Sequence, residues 1–315
     1  MLLKSMVCGA LWALTAATVA GSVSAQRQVE GSFDLAEGDR VVFLGNAFFE
    51  RARYYGHIET ALAVGWPEAD VTFRNIGWNG DTVGGRARTG GRRGARFGSD
   101  AEGFRNLVDH VTSLRPTHLF IAYGFNESFA GQAGLEPFAA QLDRLLVAVA
   151  SEHRQIILVS PLLMENGFGA PEAYVDERNV MIRAYAFIIQ KSARGADLLY
   201  VDLLDALQRE AAPFSEDGIH PTGEAYARIA AILVRALGGD AALREMDAQD
   251  RELLRTEIVK KNALYFHRWR PRNDAFVYGE RKDEQPIAQS EPEQFEPFIE
   301  EREAVIWDLL GNLGK

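Results

Sequence analysis

Four short stretches of the chain carry residues that could move a proton or stabilise a developing negative charge. Asp217-Gly218-Ile219-His220-Pro221 sets a carboxylate three residues ahead of an imidazole. Gly124-Phe125-Asn126-Glu127 offers a side-chain amide, and Asn79-Gly80-Asp81-Thr82 offers backbone N–H groups in a glycine turn. Acyl transfer needs a nucleophile, a base, a group that orients the base, and donors aimed at the oxyanion. The remaining stretch, Val41-Val42-Phe43-Leu44-Gly45-Asn46-Ala47, reads as a buried strand breaking into a tight turn. It ends on an alanine, whose methyl has no lone pair and no proton to give up.

These stretches need a scaffold that brings them together. Apolar runs alternate with amphipathic ones between residues 38 and 238. Strands are predicted at Arg40–Leu44, Val71–Asn75, Thr117–Tyr123, Gln155–Ser160 and Leu198–Asp202. They are short, rich in Val, Ile, Leu and Phe, and without clean alternation, as in strands buried on both faces of a parallel sheet. Helices are predicted at Phe48–Val64, Ala101–Ser113, Glu136–Glu152, Pro171–Ala193 and Thr222–Leu237; in the fourth, Val180, Ala184, Phe187 and Ile188 recur at helical spacing. The alternation predicts an α/β protein, a three-layer α/β/α sandwich with a five-stranded parallel sheet and right-handed crossovers. Ligands of such sheets sit beyond the carboxyl ends of the strands, which is where each of the chemical stretches falls.

Taken in order, the stretches resemble the SGNH/GDSL hydrolase family of serine esterases and lipases over roughly residues 38–238. The family's Gly-Asp-Ser block corresponds to Gly45-Asn46-Ala47, its block-two glycine to Gly80, its Gly-x-Asn-Asp to Gly124-Phe125-Asn126-Glu127, and its Asp-x-x-His to Asp217–His220. The resemblance implies a flavodoxin-like SGNH fold, with His220 as base and Asp217 as its orienter. It implies an oxyanion hole made of the N–H groups of Ala47 and Gly80 and the amide of Asn126. The departures are as informative. Ala47 removes the nucleophile, Asn46 replaces an aspartate, and Glu127 lengthens an aspartate by one methylene. Ser215, Ser160 and Ser128 are the serines near the motifs, and each also reads as a turn, pre-proline or helix-start residue. Water activated directly by His220 is a second route.

Further residues are candidates for substrate binding: Asn46, Trp78, Glu127, Arg86 and Arg88, with Tyr123, Phe125 and Phe129 as a sugar-stacking or acyl-binding wall or as core. The glycine-rich loop from Gly84 to Gly98 holds Arg86, Arg88, Arg92, Arg93 and Arg96, a set suited to clamping an anionic group or to a solvated surface. Residues 239–315 form an extension: a charged helix over Asp240–Ala263, an irregular stretch from Tyr265 to Pro297, and a short helix over Phe298–Leu310. Its Tyr265-Phe266-His267-Arg268-Trp269-Arg270-Pro271-Arg272-Asn273 is expected to dock on the domain or to act as a lid.

Residues 1–25 read as a secretory leader, with Lys4, an apolar run, and Val23-Ser24-Ala25 as the cleavage site. The domain expected between residues 30 and 238 would then be periplasmic or extracellular, with no later transmembrane segment. Cys8 is the only cysteine, so the mature chain has no disulfide and no thiolate metal site. No metal and no cofactor are expected. A net charge of −10 argues against nucleic-acid partners. The expected partner is a small-molecule or carbohydrate ester. The function expected is an exported SGNH-type ester hydrolase lacking its ordinary nucleophile; the alternative is an inactive relative that binds a carbohydrate or anionic ligand.

Overall fold

The computed structural model describes residues 33–67, 70–89, 99–210, 212–239, 246–277 and 281–312. The leader and Arg92, Arg93 and Arg96 lie outside them. Five parallel strands form one sheet in the order β2-β1-β3-β4-β5: β1 Arg40–Gly45, β2 Thr72–Asn75, β3 His118–Ala122, β4 Gln155–Val159 and β5 Leu199–Val201. The register is continuous, with Val42 opposite Arg74 on one side and Leu119 on the other.

Each central strand is buried on both faces, and its side chains divide between two cores. Val41, Phe43, Phe120, Ile157 and Val159 meet one layer of helices: α1 (Ala47–Tyr55), α2 (His57–Gly65) and α7 (Gly223–Leu237). Val42, Leu44, Leu119, Ile121, Ile156 and Leu158 meet the other layer: α3 (Asp100–Leu114), α4 (Leu135–Val149) and α5 (Glu172–Gly195). This double burial is why the strands read as continuous apolar runs.

The elements differ from the sequence reading in three respects. The single helix expected at Phe48–Val64 is two, because Gly56 takes a left-handed φ of 71° and ends α1 while opening α2. The apolar residues at helical spacing in α5 are not the ones that fill the core: Val180 and Phe187 are exposed, and Ile182, Tyr185, Ala186 and Ile189 are buried. A helix not expected, α6 (Leu203–Glu210), follows β5 directly, with Leu203, Leu204 and Leu207 inward.

The extension is more regular than its composition suggests. Helix α8 runs over Ala248–Trp269, so Tyr265 to Trp269 are helical rather than irregular. Its buried Leu254, Ile258, Lys261 and Tyr265 recur at three and four residues, a period that carries the helix through the aromatic stretch. A turn of helix, α9 (Asp274–Val277), and the closing α10 (Glu296–Gly311) follow. Helix α8 packs on α1, α2, α10 and the edge strand β2. Lys261, almost fully buried, pairs with Glu59 and donates to the Phe73 carbonyl at 3.1 Å, while Asn262 donates to Glu59 at 3.0 Å. Arg74 of β2 pairs with Glu303 of α10. The exposed edge of the sheet is thereby covered. No described helix is long and apolar enough to cross a membrane.

Candidate active site

The site is assembled from turns at the carboxyl ends of β1, β2 and β3 and from the loop before α7. Leaving β1, the chain turns at Asn46, whose side chain caps α1 by accepting from Phe48 N at 3.1 Å. Ala47 is the first helical residue, so its N–H has no intrahelical acceptor. The start of α1 is fixed from both sides: Tyr226 of α7 donates to the Phe48 carbonyl at 2.6 Å, and Asn75 at the end of β2 donates to the Phe49 carbonyl at 2.7 Å.

His220 sits on a closed loop. Ser215 and Pro221 form an antiparallel bridge, Glu216 N donates to the His220 carbonyl at 3.0 Å, and Thr222 N to that of Phe214 at 2.9 Å. Within the loop Gly218 takes a φ of 89°, which a side-chain-bearing residue resists. The result brings Asp217 Oδ2 to 2.6 Å from His220 Nδ1, while Asp217 Oδ1 accepts from the N–H groups of Ile219 and His220 at 3.0 and 2.8 Å. Partial burial raises the Asp217 carboxyl, but the hydrogen bonds from His220 and Ile219 outweigh it, and the net shift is downward. An ionised Asp217 accepting from Nδ1 leaves Nε2 as the free base.

Ala47, Asn126 and His220 line one cavity of about 260 Å³. Asn46, Tyr123 and Ser160 also line it, with Phe125, Phe129, Leu162 and Ile219 as apolar walls. Asn126 Nδ2 donates to the Asp81 carbonyl at 2.7 Å, which fixes the amide and leaves its second hydrogen for another acceptor. Gly80, with a φ of 76°, lies on the wall of an adjoining cleft that shares Asn126. Asn79 represents that turn in the cavity itself.

The nearby serines are engaged structurally. Ser215 Oγ pairs with Glu165 and accepts from Gly218 N at 3.0 Å. Ser128 Oγ bridges the Phe125 carbonyl and Arg178 at 2.6 and 2.8 Å. Ser160, a buried residue on the cavity wall, has its Oγ accepting from Leu204 N at 2.9 Å.

Two residues expected to bind substrate have other surroundings. Arg88 is buried, with Nε 2.8 Å from Asp81 Oδ2, a second nitrogen on the Ile76 carbonyl at 2.7 Å, and a third 3.0 Å from His110 Nδ1. Tyr123 OH completes the Asp81 shell at 2.9 Å. The charge that suggested a clamp instead pins the Gly80–Asp81 turn. Trp78 lies under the extension, beneath Arg270 at 4.1 Å and edge-on to Trp269 at 5.5 Å. No described residue of the extension lines the cavity, and its long helix α8 packs on the β2 side of the domain.

Glu127 joins two loops: its carboxylate accepts from Val83 N at 2.7 Å and Gly124 N at 2.8 Å. Burial pushes this carboxyl up to about 7, against the pull of those two N–H groups. Between its unfolded value and about 7 the folded chain holds the proton that the unfolded chain releases, so stability falls as pH rises through that window. The advantage of the natural chain over Glu127→Gln should therefore shrink by up to about 3 kcal/mol from about pH 5 to about pH 8. Urea unfolding of both forms across that range checks it, and a constant difference would exclude a shifted Glu127.

Glu165 belongs to none of the four stretches, and nothing in the sequence around it marks it. Its carboxylate accepts from the N–H groups of Phe214 and Ser215 at 2.9 and 2.7 Å, and its own N–H donates to the Gly218 carbonyl at 2.8 Å. It is a positioning residue for the His220 loop. Glu165→Ala should cost about 1–3 kcal/mol of stability by leaving those donors without an acceptor. In an Ala47→Ser background it should also lower kcat about tenfold with little change in KM, whereas a purely structural role would leave kcat of the folded fraction unchanged.

The fold and these motifs define a family. A model of the GDSL-like lipase/acylhydrolase family matches residues 36–228, more than half of the chain. The chain belongs to that family, whose members are ester-acting hydrolases of SGNH type. Among solved structures, an alpha/beta hydrolase from the metagenome of Lake Arreo is 19% identical, with a TM-score of 0.50 over 65% of this chain and 98% of that one. A catalytic mutant of an acetylxylan esterase from Geobacillus stearothermophilus is 18% identical, with a TM-score of 0.50 over 65% of this chain and 97% of that one. At these identities the likeness is one of fold. No curated protein matches the chain in sequence.

Proposed function

We propose that the chain hydrolyses small acyl esters, acetyl groups on carbohydrate above all, using water in place of a serine nucleophile. The observation that carries this reading is the Asp217–His220 pair, hydrogen-bonded at 2.6 Å on a cavity that also holds Ala47 and Asn126. In the proposed step His220 Nε2 takes a proton from a water beside the Ala47 methyl as the water oxygen bonds to the acyl carbon. The carbonyl electrons move onto an oxygen facing the Ala47 N–H and the Asn126 amide. That oxygen then reforms the carbonyl, the ester C–O bond breaks, and the leaving alkoxide takes the proton from His220. The apolar walls suit a short acyl group, and the carbohydrate half follows the acetylxylan esterase of the same fold.

Ala47 favours a second reading, in which the chain binds such an ester without turning it over. The leader motif supports export for either. Hydrolysis of p-nitrophenyl acetate and acetylated xylo-oligosaccharides by the natural chain and by His220→Ala separates them. Turnover abolished by His220→Ala supports water activation. Turnover absent until serine replaces Ala47 supports the binding reading. Turnover untouched by His220→Ala defeats both.

A further inference from the structure

A second cleft, of about 500 Å³, adjoins the cavity, and Asn126 lines both. Arg86, Arg144, Gln141 and Thr82 stand on its walls. Arg86 and Arg144 are exposed and enter no ion pair recorded among the described residues. They differ in this from Arg51, Arg74, Arg88 and Arg270, each of which meets a carboxylate. Arg144 is held over the Phe104 ring, 3.8 Å from its centroid, which limits the freedom its guanidinium would lose on binding.

The Glu127 carboxyl on the cleft wall is committed elsewhere. Glu127 turns both oxygens onto backbone N–H groups. Asp100, at the start of α3, is the other acid on the wall. Two exposed arginines therefore line a cleft whose other exposed charge is Asp100, beside the neutral amide of Gln141 and hydroxyl of Thr82, groups suited to sugar hydroxyls.

We propose that this cleft is the subsite for the alcohol half of the ester, and that it takes a sugar residue bearing a carboxylate, a uronic acid. The proposal rests on the ester-site reading above. The acyl group would occupy the smaller cavity, the uronate would lie across Asn126 in the larger one, and Arg86 and Arg144 would hold its carboxylate.

Calorimetric titration of the natural chain with trigalacturonate and with xylotriose, at low and at moderate salt, tests it. Trigalacturonate should bind about tenfold more tightly at low salt, with the advantage reduced by added salt. The Arg86→Gln/Arg144→Gln double variant should lose that advantage while keeping its unfolding temperature, since both side chains are exposed. Equal binding of the two sugars, or an advantage that survives in the double variant, overturns the proposal. So does failure of trigalacturonate to bind while His220-dependent hydrolysis of p-nitrophenyl acetate persists, an outcome that leaves the ester-site reading standing. Arginine-dependent uronate binding without ester hydrolysis in the natural chain or in Ala47→Ser keeps the cleft and removes the ester-site reading.

Discussion

Ala47→Ser should raise the hydrolysis of p-nitrophenyl acetate by about 10³-fold or more over the natural chain. The substitution adds one oxygen at the first helical position, on the wall of a cavity already shared with His220 and Asn126. Asn46 and Tyr226 hold the start of α1, and Asp217 holds the imidazole at 2.6 Å. The positive end of the α1 dipole also favours negative charge on the acyl oxygen. Under the proposed mechanism the same groups in the natural chain would act only on water, and its rate would be bounded by the catalysis that an oxyanion hole and a base provide without a nucleophile. His220→Ala added to Ala47→Ser should remove nearly the whole gain, because residues acting as one unit lose their effect together. Steady-state kinetics on the three forms is the check, and a rise below about tenfold would mean that residue 47 does not face the base.

Arg88→Ala should destabilise the fold by about 3–5 kcal/mol, the range for removing one partner of a buried ion pair. Both side chains of the Arg88–Asp81 pair are fully enclosed. Burial alone would lower the affinity of Arg88 for its proton, but Asp81 and Tyr123 outweigh it and the net shift is upward, so the charge persists. Truncation leaves an unpaired carboxylate among Tyr123, Ala87 and the Gly80 turn, and frees the Ile76 carbonyl as well. Since the Asp81 carbonyl anchors the Asn126 amide, activity in the Ala47→Ser background should fall along with stability. Asp81→Asn combined with Arg88→Met should cost less than Arg88→Ala alone, because no charge is then left buried. Denaturant unfolding of the single and paired variants reads both effects, and a loss under about 1 kcal/mol for Arg88→Ala would contradict the pinning role.

The parts of the molecule legible in the sequence are those where local chemistry and tertiary position agree. The strands read as strands because double burial leaves no polar alternation, and Asp217-Gly218-Ile219-His220 reads as a unit because its residues meet within one short loop. Arg88 was misjudged for a physical reason: a sequence shows a charge but not whether a carboxylate seven residues away encloses it. The spacing of Val180 and Phe187 marks a helix but not its buried side, because two faces of α5 carry apolar residues and only the packing against β4 and α4 selects between them. Glu165 could not be found at all from spacing, since its partners are backbone N–H groups about fifty residues downstream. The length of α8 was legible in principle from the three- and four-residue recurrence of Leu254, Ile258, Lys261 and Tyr265, but the density of arginine and aromatic residues obscured it.

The central claim is that a competent base and its oxyanion donors converge on the methyl of Ala47. A fluorophosphonate probe tests it most directly, because such probes bond only to a serine activated by an adjacent base. Intact-mass analysis and peptide mapping should find one adduct, on residue 47, in the Ala47→Ser form. They should find none in the natural chain and none when His220→Ala is added. An Ala47→Ser chain that folds but stays unlabelled, or labelling that persists without His220, would contradict the account.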